Sequence, residues 1–405
     1  MRPQTLCWLP LALASLLSPA LAQDTGEVTP KSPTSADRRL QGAPTSLDAP
    51  GATLARLPPS PRPKEEEKDP ALTFGGSLDL FYVYNFNRPR SGRTAYRTFD
   101  LRTRRLQFGL LDLWVEQKRE PVGFRLDLNW GPNADLQNAL EPSDNDVWKH
   151  VQQAYVSLNL ARKGKTYVDL GKWISPAGAE VVEAAGNVFH SQGLLFNFAT
   201  PYYHLGARLF HHFSETDYLM VHLNRGWNAV GSPDHDPGFG ISYVRTLAPD
   251  TTLTANYLGG EELTGRGDAS FRHLLDLILT RDVGKWSYVA NFNTGLQSDV
   301  LRPSGRSSTA RWYGMSHVAK YALTANRSAA LRLEWFRDDS GFLVGASNDL
   351  FAIALNFTQR LNPHVQFRAE YRKDLGTRGK LFETSLSERA AADQDTFGIS
   401  LILQY

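Results

Sequence analysis

The last ten residues, Thr396-Phe397-Gly398-Ile399-Ser400-Leu401-Ile402-Leu403-Gln404-Tyr405, decide the fold. Phe397, Ile399, Leu401, Leu403 and Tyr405 share one face, and Thr396, Gly398, Ser400 and Gln404 share the other, with Ile402 the one exception. A period of two over this length is a strand with one apolar and one wet side. The pattern recurs in sixteen segments, approximately 76–87, 102–117, 121–130, 149–160, 164–173, 202–213, 216–227, 236–247, 250–260, 270–282, 285–297, 309–322, 326–338, 347–361, 364–374 and 393–405. The gaps alternate between tight and long. Brief connections follow even-numbered strands: Arg119-Glu120, Arg162-Lys163, Ser214-Glu215, Ala248-Pro249, Val283-Gly284 and Asn362-Pro363. Longer polar ones, including 131–148, 174–201 and 375–392, follow odd-numbered strands. Short turns on one rim and long loops on the other mark the periplasmic and external ends of a transmembrane, antiparallel, up-and-down β-barrel.

The ends of the chain agree with that reading. Residues 1–22 have the layout of a secretory signal: Arg2, an apolar run from Leu6 to Leu17, then Ala20-Leu21-Ala22 before Gln23. Cys7, the chain's one cysteine, lies inside it, so the mature protein needs no disulfide framework and has no thiol site. Residues 23–70 contain nine prolines and no aromatic residue, with a charged cluster at Lys64-Glu65-Glu66-Glu67-Lys68. Such a segment cannot bury enough apolar surface to order itself and reads as a flexible periplasmic linker before the barrel of residues 71–405. No later apolar run reaches the roughly 18 residues of a helical span. The mean hydropathy of −0.36 does not argue for solubility, because alternation hides lipid-facing residues from averages. The formal charge of +2 gives no basic stripe for nucleic acid.

Alternation also assigns the lining. In 121–130, Val122, Phe124, Leu126, Leu128 and Trp130 face lipid, leaving Arg125, Asp127 and Asn129 inward. In 326–338, Leu331, Leu333 and Trp335 face out while Arg332 and Glu334 face in; in 364–374, Val365, Phe367, Ala369 and Tyr371 oppose Gln366, Arg368, Glu370 and Arg372. Each charge on the lipid face at mid-depth would cost about 2–4 kcal/mol, so these residues point inward and imply water there. A soluble sandwich would have a dry inner face instead. About 16 strands make a barrel wide enough for an aqueous channel.

The connection between the fifth and sixth strands is the longest. It begins Ile174-Ser175-Pro176-Ala177-Gly178-Ala179-Glu180-Val181-Val182-Glu183 and continues through His190 to Pro201. Being apolar and rich in small residues, it is ill suited to water, and the barrel lumen is the place available to it. Folded inward, it would narrow the pore and hold Glu180 and Glu183 against basic residues of the wall, for which Arg208, Arg332, Arg368 and Arg372 are the candidates. A field between acidic loop and basic wall would then filter solutes at this constriction, with Arg125, Asp127, Glu334 and Glu370 lining the pore elsewhere.

Several stretches carry a family resemblance: Gly123-Phe124-Arg125-Leu126-Asp127, Gly131-Pro132, Ala134-Asp135, Gln153-Ala154-Tyr155-Val156-Ser157, Gly171-Lys172, Pro176-Ala177-Gly178-Ala179-Glu180-Val181, and Phe196 through His204. Together they resemble the OmpL-like β-barrel porin family, most densely from about 120 to 245. Arg225-Gly226-Trp227 departs from the Asn-Gly-Trp such sequences tend to carry. The resemblance implies a Gram-negative outer-membrane porin and names no solute.

Other motifs carry less. Gly260-Glu261-Glu262-Leu263-Thr264-Gly265-Arg266 has phosphate-loop glycine spacing but lacks the Lys-Ser/Thr and a following helix. Arg266-Gly267-Asp268 is explained by a glycine-rich hairpin loop as well as by adhesion. His211, His212 and Glu215 cluster, but adjacent strand residues point to opposite faces, so joint metal ligation is not expected. No cofactor is implied. The expected function is a passive diffusion channel for small hydrophilic solutes or ions, in contact with outer-membrane lipid and open to trimeric association. Two alternatives remain open: an outer-membrane barrel enzyme and a surface structural or adhesive barrel.

Overall fold

The computed structural model describes residues 72–405 except 118–120, 140, 142–145, 162–164, 231–236, 265–267, 302–304 and 387–389. The expected signal and linker, the turns at Arg119-Glu120 and Arg162-Lys163, and Arg266-Gly267 lie outside the described residues.

Sixteen strands form one closed barrel: β1 Leu72–Asn85, β2 Leu106–Gln117, β3 Val122–Trp130, β4 Val151–Asn159, β5 Thr166–Ile174, β6 Tyr203–His212, β7 Tyr218–Asn224, β8 Gly238–Ala248, β9 Thr251–Leu263, β10 Ala269–Val283, β11 Trp286–Leu301, β12 Ser307–Thr324, β13 Arg327–Asp338, β14 Asn348–Asn362, β15 Val365–Gly376 and β16 Asp393–Gln404. Every strand pairs antiparallel with its neighbours in sequence, and β1 pairs with β16 to close the ring. Closure leaves no edge, the condition for strands to cross a membrane, since lipid supplies no partner for a free backbone N–H or C=O.

The faces follow from register. Leu331, Leu355 and Tyr371 sit side by side across β13–β15, and one residue along, Arg332, Ala354 and Arg372 form the adjacent row. Leu355 is 53% exposed and Arg332 is fully buried, so the apolar row is the outer one. Val122, Phe124, Leu126, Leu128 and Trp130 likewise alternate with buried Arg125, Asp127 and Asn129 on β3.

Several boundaries differ from expectation, among them those of β1, β2, β7, β9 and β11. Strand β2 begins at Leu106 because the preceding connection folds back to place Arg97 in ion pairs with Asp100 (2.5 Å) and Asp374 (2.8 Å). Strand β7 ends at Asn224 because Gly226 takes φ 107°, where its N–H donates to Asn224 Oδ1 at 2.7 Å. Strand β9 runs on to Leu263, so the glycine stretch that opens at Gly260 is strand, not loop, at its start.

The lumen is not uniformly polar. Charged inner faces imply water inside. Yet Leu194, Leu195 and Ala199 from the connection between β5 and β6 pack with Val300, Ala310, Trp312, Phe336, Leu350 and Ala352 of β11–β14 and with Val344. Small or apolar inward residues on these strands receive the apolar part of the connection. Asp338 braces this core by accepting the N–H groups of Leu343 (2.7 Å) and Val344 (3.0 Å).

The closing seam ends on Tyr405. Its N–H donates to the Gly76 carbonyl and the Gly76 N–H to its own carbonyl, both at 2.9 Å, and its ring stacks on His364 with centroids 5.4 Å apart. Deleting Tyr405 removes both hydrogen bonds, each contributing about 0.5–1.5 kcal/mol net. The deletion is expected to lower the yield of heat-modifiable, protease-resistant barrel more than loss of an exposed loop residue does, as read by gel shift and trypsin resistance.

Candidate functional site

The connection between β5 and β6 leaves and returns at one point: the Ser175 N–H donates to the Tyr202 carbonyl at 2.9 Å. Between these ends lie a 3₁₀ turn at Ala184–Gly186 and a short helix at Leu194–Phe198. A chain with so little regular structure leaves many backbone groups to be satisfied, and inward side chains of the wall satisfy them.

The first tie is to β9 and β10. Gly178, at φ 94°, donates its N–H to Asp276 Oδ2 at 3.0 Å, and Asn256 Nδ2 donates to the Pro176 carbonyl at 2.9 Å. The Asp276 carboxylate is itself held by Asn291 Nδ2 (2.6 Å) and Asn256 Nδ2 (3.0 Å).

The second tie is to β13–β15, and it carries most of the charge. Arg332 meets Glu180 Oε1 at 2.8 Å and Glu334 Oε2 at 3.0 Å, donates to the Ser191 carbonyl at 2.7 Å, and lies 4.6 Å from the Phe189 ring centroid. The same two carboxylates receive the backbone at the start of the short helix: Gly193 N–H to Glu180 at 2.6 Å and Leu194 N–H to Glu334 at 2.8 Å. Glu370 accepts the His190 N–H at 2.8 Å and the Ser191 N–H at 3.2 Å, and takes the Ser191 hydroxyl as well. Arg368 donates to the carbonyls of Ala184 (2.9 Å) and Phe189 (3.3 Å), and Arg372 to that of Gln192 (2.7 Å). Asn356 adds a bond to the Val188 carbonyl at 3.0 Å.

The expected site residues therefore divide. Arg332 meets Glu180, while Arg368 and Arg372 bind the segment's carbonyls. Glu334 and Glu370, expected along the open pore, bind its amides. Glu183 instead accepts from Gln152 Nε2 of β4 at 3.1 Å. Arg208 does not face the segment's carboxylates. It pairs with Asp169, its direct cross-strand neighbour, at 3.0 Å and lies over Tyr155 (4.7 Å) and Trp173 (5.2 Å), so its charge is satisfied within the wall. Arg125 behaves similarly, pairing with Asp127 beside it and with Glu116 at 3.0 Å while lying 4.2 Å over Trp114.

Sequence reasoning missed Asp276, Ser191 and Gly193. Alternation carries a signal for Asp276, the polar residue between outward Leu275 and Leu277 on β10. Gly193 has none, because it acts through its main-chain N–H, and Ser191, which also gives its hydroxyl to Glu370, lies in the same irregular segment, where no periodicity assigns a side chain to a face.

A closed, sixteen-stranded antiparallel barrel with one long connection bound to its inward side chains defines an outer-membrane porin. Residues 71–405 match the model of a family described as putative beta-barrel porin-2, OmpL-like, and the chain belongs to that family. The fold is shared with the outer membrane channel DcaP of Acinetobacter baumannii (TM-score 0.56, 12% identity, 82% of this chain and 97% of that one). It is also shared with an anion-selective porin from Comamonas acidovorans (0.54, 11%, 82% and 99%) and with OmpT of Vibrio cholerae in its trimer form (0.53, 12%, 82% and 99%). No curated protein sequence matches significantly.

Gly193 gives the sharpest local test. A Cβ there would lie 2.2 Å from Glu334 Oε1 and 2.8 Å from Glu180 Oε2. Gly193→Ala must displace both carboxylates from the helix amides, leaving buried groups unsatisfied at about 1–3 kcal/mol each. The barrel is expected to fold with a lowered thermal transition and noisier single-channel currents; a melting curve and a current trace indistinguishable from wild type would refute this assignment.

Proposed function

We propose that the chain is a passive diffusion channel for small hydrophilic solutes or ions, with residues 175–202 forming its constriction inside the lumen. The carrying observation is the Glu180–Arg332 contact at 2.8 Å, which joins the connection after β5 to the inward face of β13. A wall of sixteen strands encloses more space than side chains alone fill, and a segment tied between β9–β10 and β13–β15 reduces it. Arg332, Arg368 and Arg372 act here mainly as anchors, since each is at most 3% exposed. Their charges reach a solute through the local field more than by contact.

In this reading the chain is exported by the signal at residues 1–22, is not an enzyme, lies in outer-membrane lipid and associates as a trimer. Residues 23–70 serve as a tether. Deleting them behind an intact signal should leave conductance and detergent stability unchanged, because an uncoupled flexible segment contributes little to the folded barrel. A large loss of either property would make the segment a plug or brace.

Conductance in planar bilayers tests the constriction. Removing residues 177–190 should raise single-channel conductance. Converting Glu180 and Glu183 to Gln should shift the zero-current potential toward anions at low salt, an effect that shrinks by about 1 M salt, where the Debye length is about 3 Å. Unchanged selectivity and conductance in folded variants would reduce the segment to a rim loop, and a barrel that never conducts would favour the enzyme or adhesive readings.

A further inference from the structure

The lipid-facing surface of β10–β13 has a recess near the short-turn, periplasmic rim. Three outward rows cross it in register: Leu279–Ala290–His317–Leu333, Arg281–Tyr288–Ala319–Leu331 and Val283–Trp286–Tyr321–Ala329. In the first two rows Ala290 and Ala319 stand diagonally beside each other, and bulky residues flank them. The neighbouring surface of β13–β15 is filled, with Leu331, Leu355 and Tyr371 in one row. The alanines thus floor a groove of about 480 Å³ walled by Leu279, Trp286, Tyr288, Leu331 and Leu333. That volume falls in the roughly 300–1,000 Å³ range of ligand pockets.

Its mouth is aromatic and basic. Trp286 stacks on Tyr288 (centroids 5.6 Å, planes at 13°) and lies against Tyr321 at 4.7 Å, as rings at a membrane interface do. Arg281 lines the groove and faces a single carboxylate, Asp250, at 3.5 Å, while the Lys285 ammonium stands 6.0 Å from the Tyr321 ring. Asp282 of the same hairpin lies on the opposite face, toward Lys320, so two cations against one carboxylate leave the mouth positive. Arg281 is one row, about 7 Å, from the Ala290 row, a separation that sets a headgroup at the rim and a chain in the groove.

We propose that this groove binds one anionic phospholipid of the periplasmic leaflet, its phosphate at Arg281 and Lys285 and an acyl chain over Ala290 and Ala319. The basic mouth favours an anionic lipid over a second copy of the chain.

The test uses the full barrel in mixed micelles of phosphatidylglycerol and phosphatidylethanolamine, with retained lipid counted by native mass spectrometry. The wild-type protein should retain one phosphatidylglycerol in preference to phosphatidylethanolamine. Arg281→Ala should lower that retention roughly fivefold, the size expected for one basic residue at an anionic surface. Filling the groove with Ala290→Phe and Ala319→Phe should reduce it to the phosphatidylethanolamine level, with heat-modifiability verifying the fold. Equal retention of both lipids by the wild type, unchanged phosphatidylglycerol in either folded variant, or disulfide cross-linking between copies through Ala319→Cys would overturn the proposal.

Discussion

The Arg332 guanidinium holds the interior together. It is fully buried on the inner face of β13, meets the carboxylates of Glu180 and Glu334, and donates to the Ser191 carbonyl. A charge placed there without partners would cost several kcal/mol, and removing one partner of such a pair typically costs about 3–5 kcal/mol. Beyond Glu334 of its own strand, its remaining donors are met by a segment that brings a carboxylate and a carbonyl to that point. The connection between β5 and β6 does so, and its path follows from this requirement as much as from its own sequence.

The remaining ties extend the same logic. Glu334 pairs with Arg332 and Arg372 and, like Glu370, accepts the segment's amides, while Asp374 links Arg372 to Arg97 from the connection after β1. Irregular backbone shielded from water needs other partners, and here inward side chains of five strands supply them. Beside this polar lattice, Leu194 and Leu195 pack against Trp312 and Phe336, so one segment joins a polar surface to an apolar one.

Much of the wall was legible in the sequence, because a period of two specifies a strand, its faces and its register with one another. Phe397 through Tyr405 announced the closing strand, and Arg332, Arg368 and Arg372 were assigned inward by their outward neighbours. What alternation leaves open is what an inward residue meets. Trp312 and Phe336 face in as Arg332 does, yet they contact apolar side chains of the segment. Arg208 and Arg332 look alike in sequence, but Arg208 has Asp169 directly across on the next strand and needs nothing from the segment. Gly193 was invisible, since its role depends on two carboxylates that arrive from Glu180 and from Glu334 far along the chain.

The tie between segment and wall is tested most directly by a double-mutant cycle of Glu180→Gln and Arg332→Gln, following thermal unfolding and single-channel conductance together. Partners in direct contact predict a coupling of about 0.5–3 kcal/mol and conductance changes in the single variants that do not add in the double. Additive stabilities with conductance unchanged in all three folded variants would contradict the account.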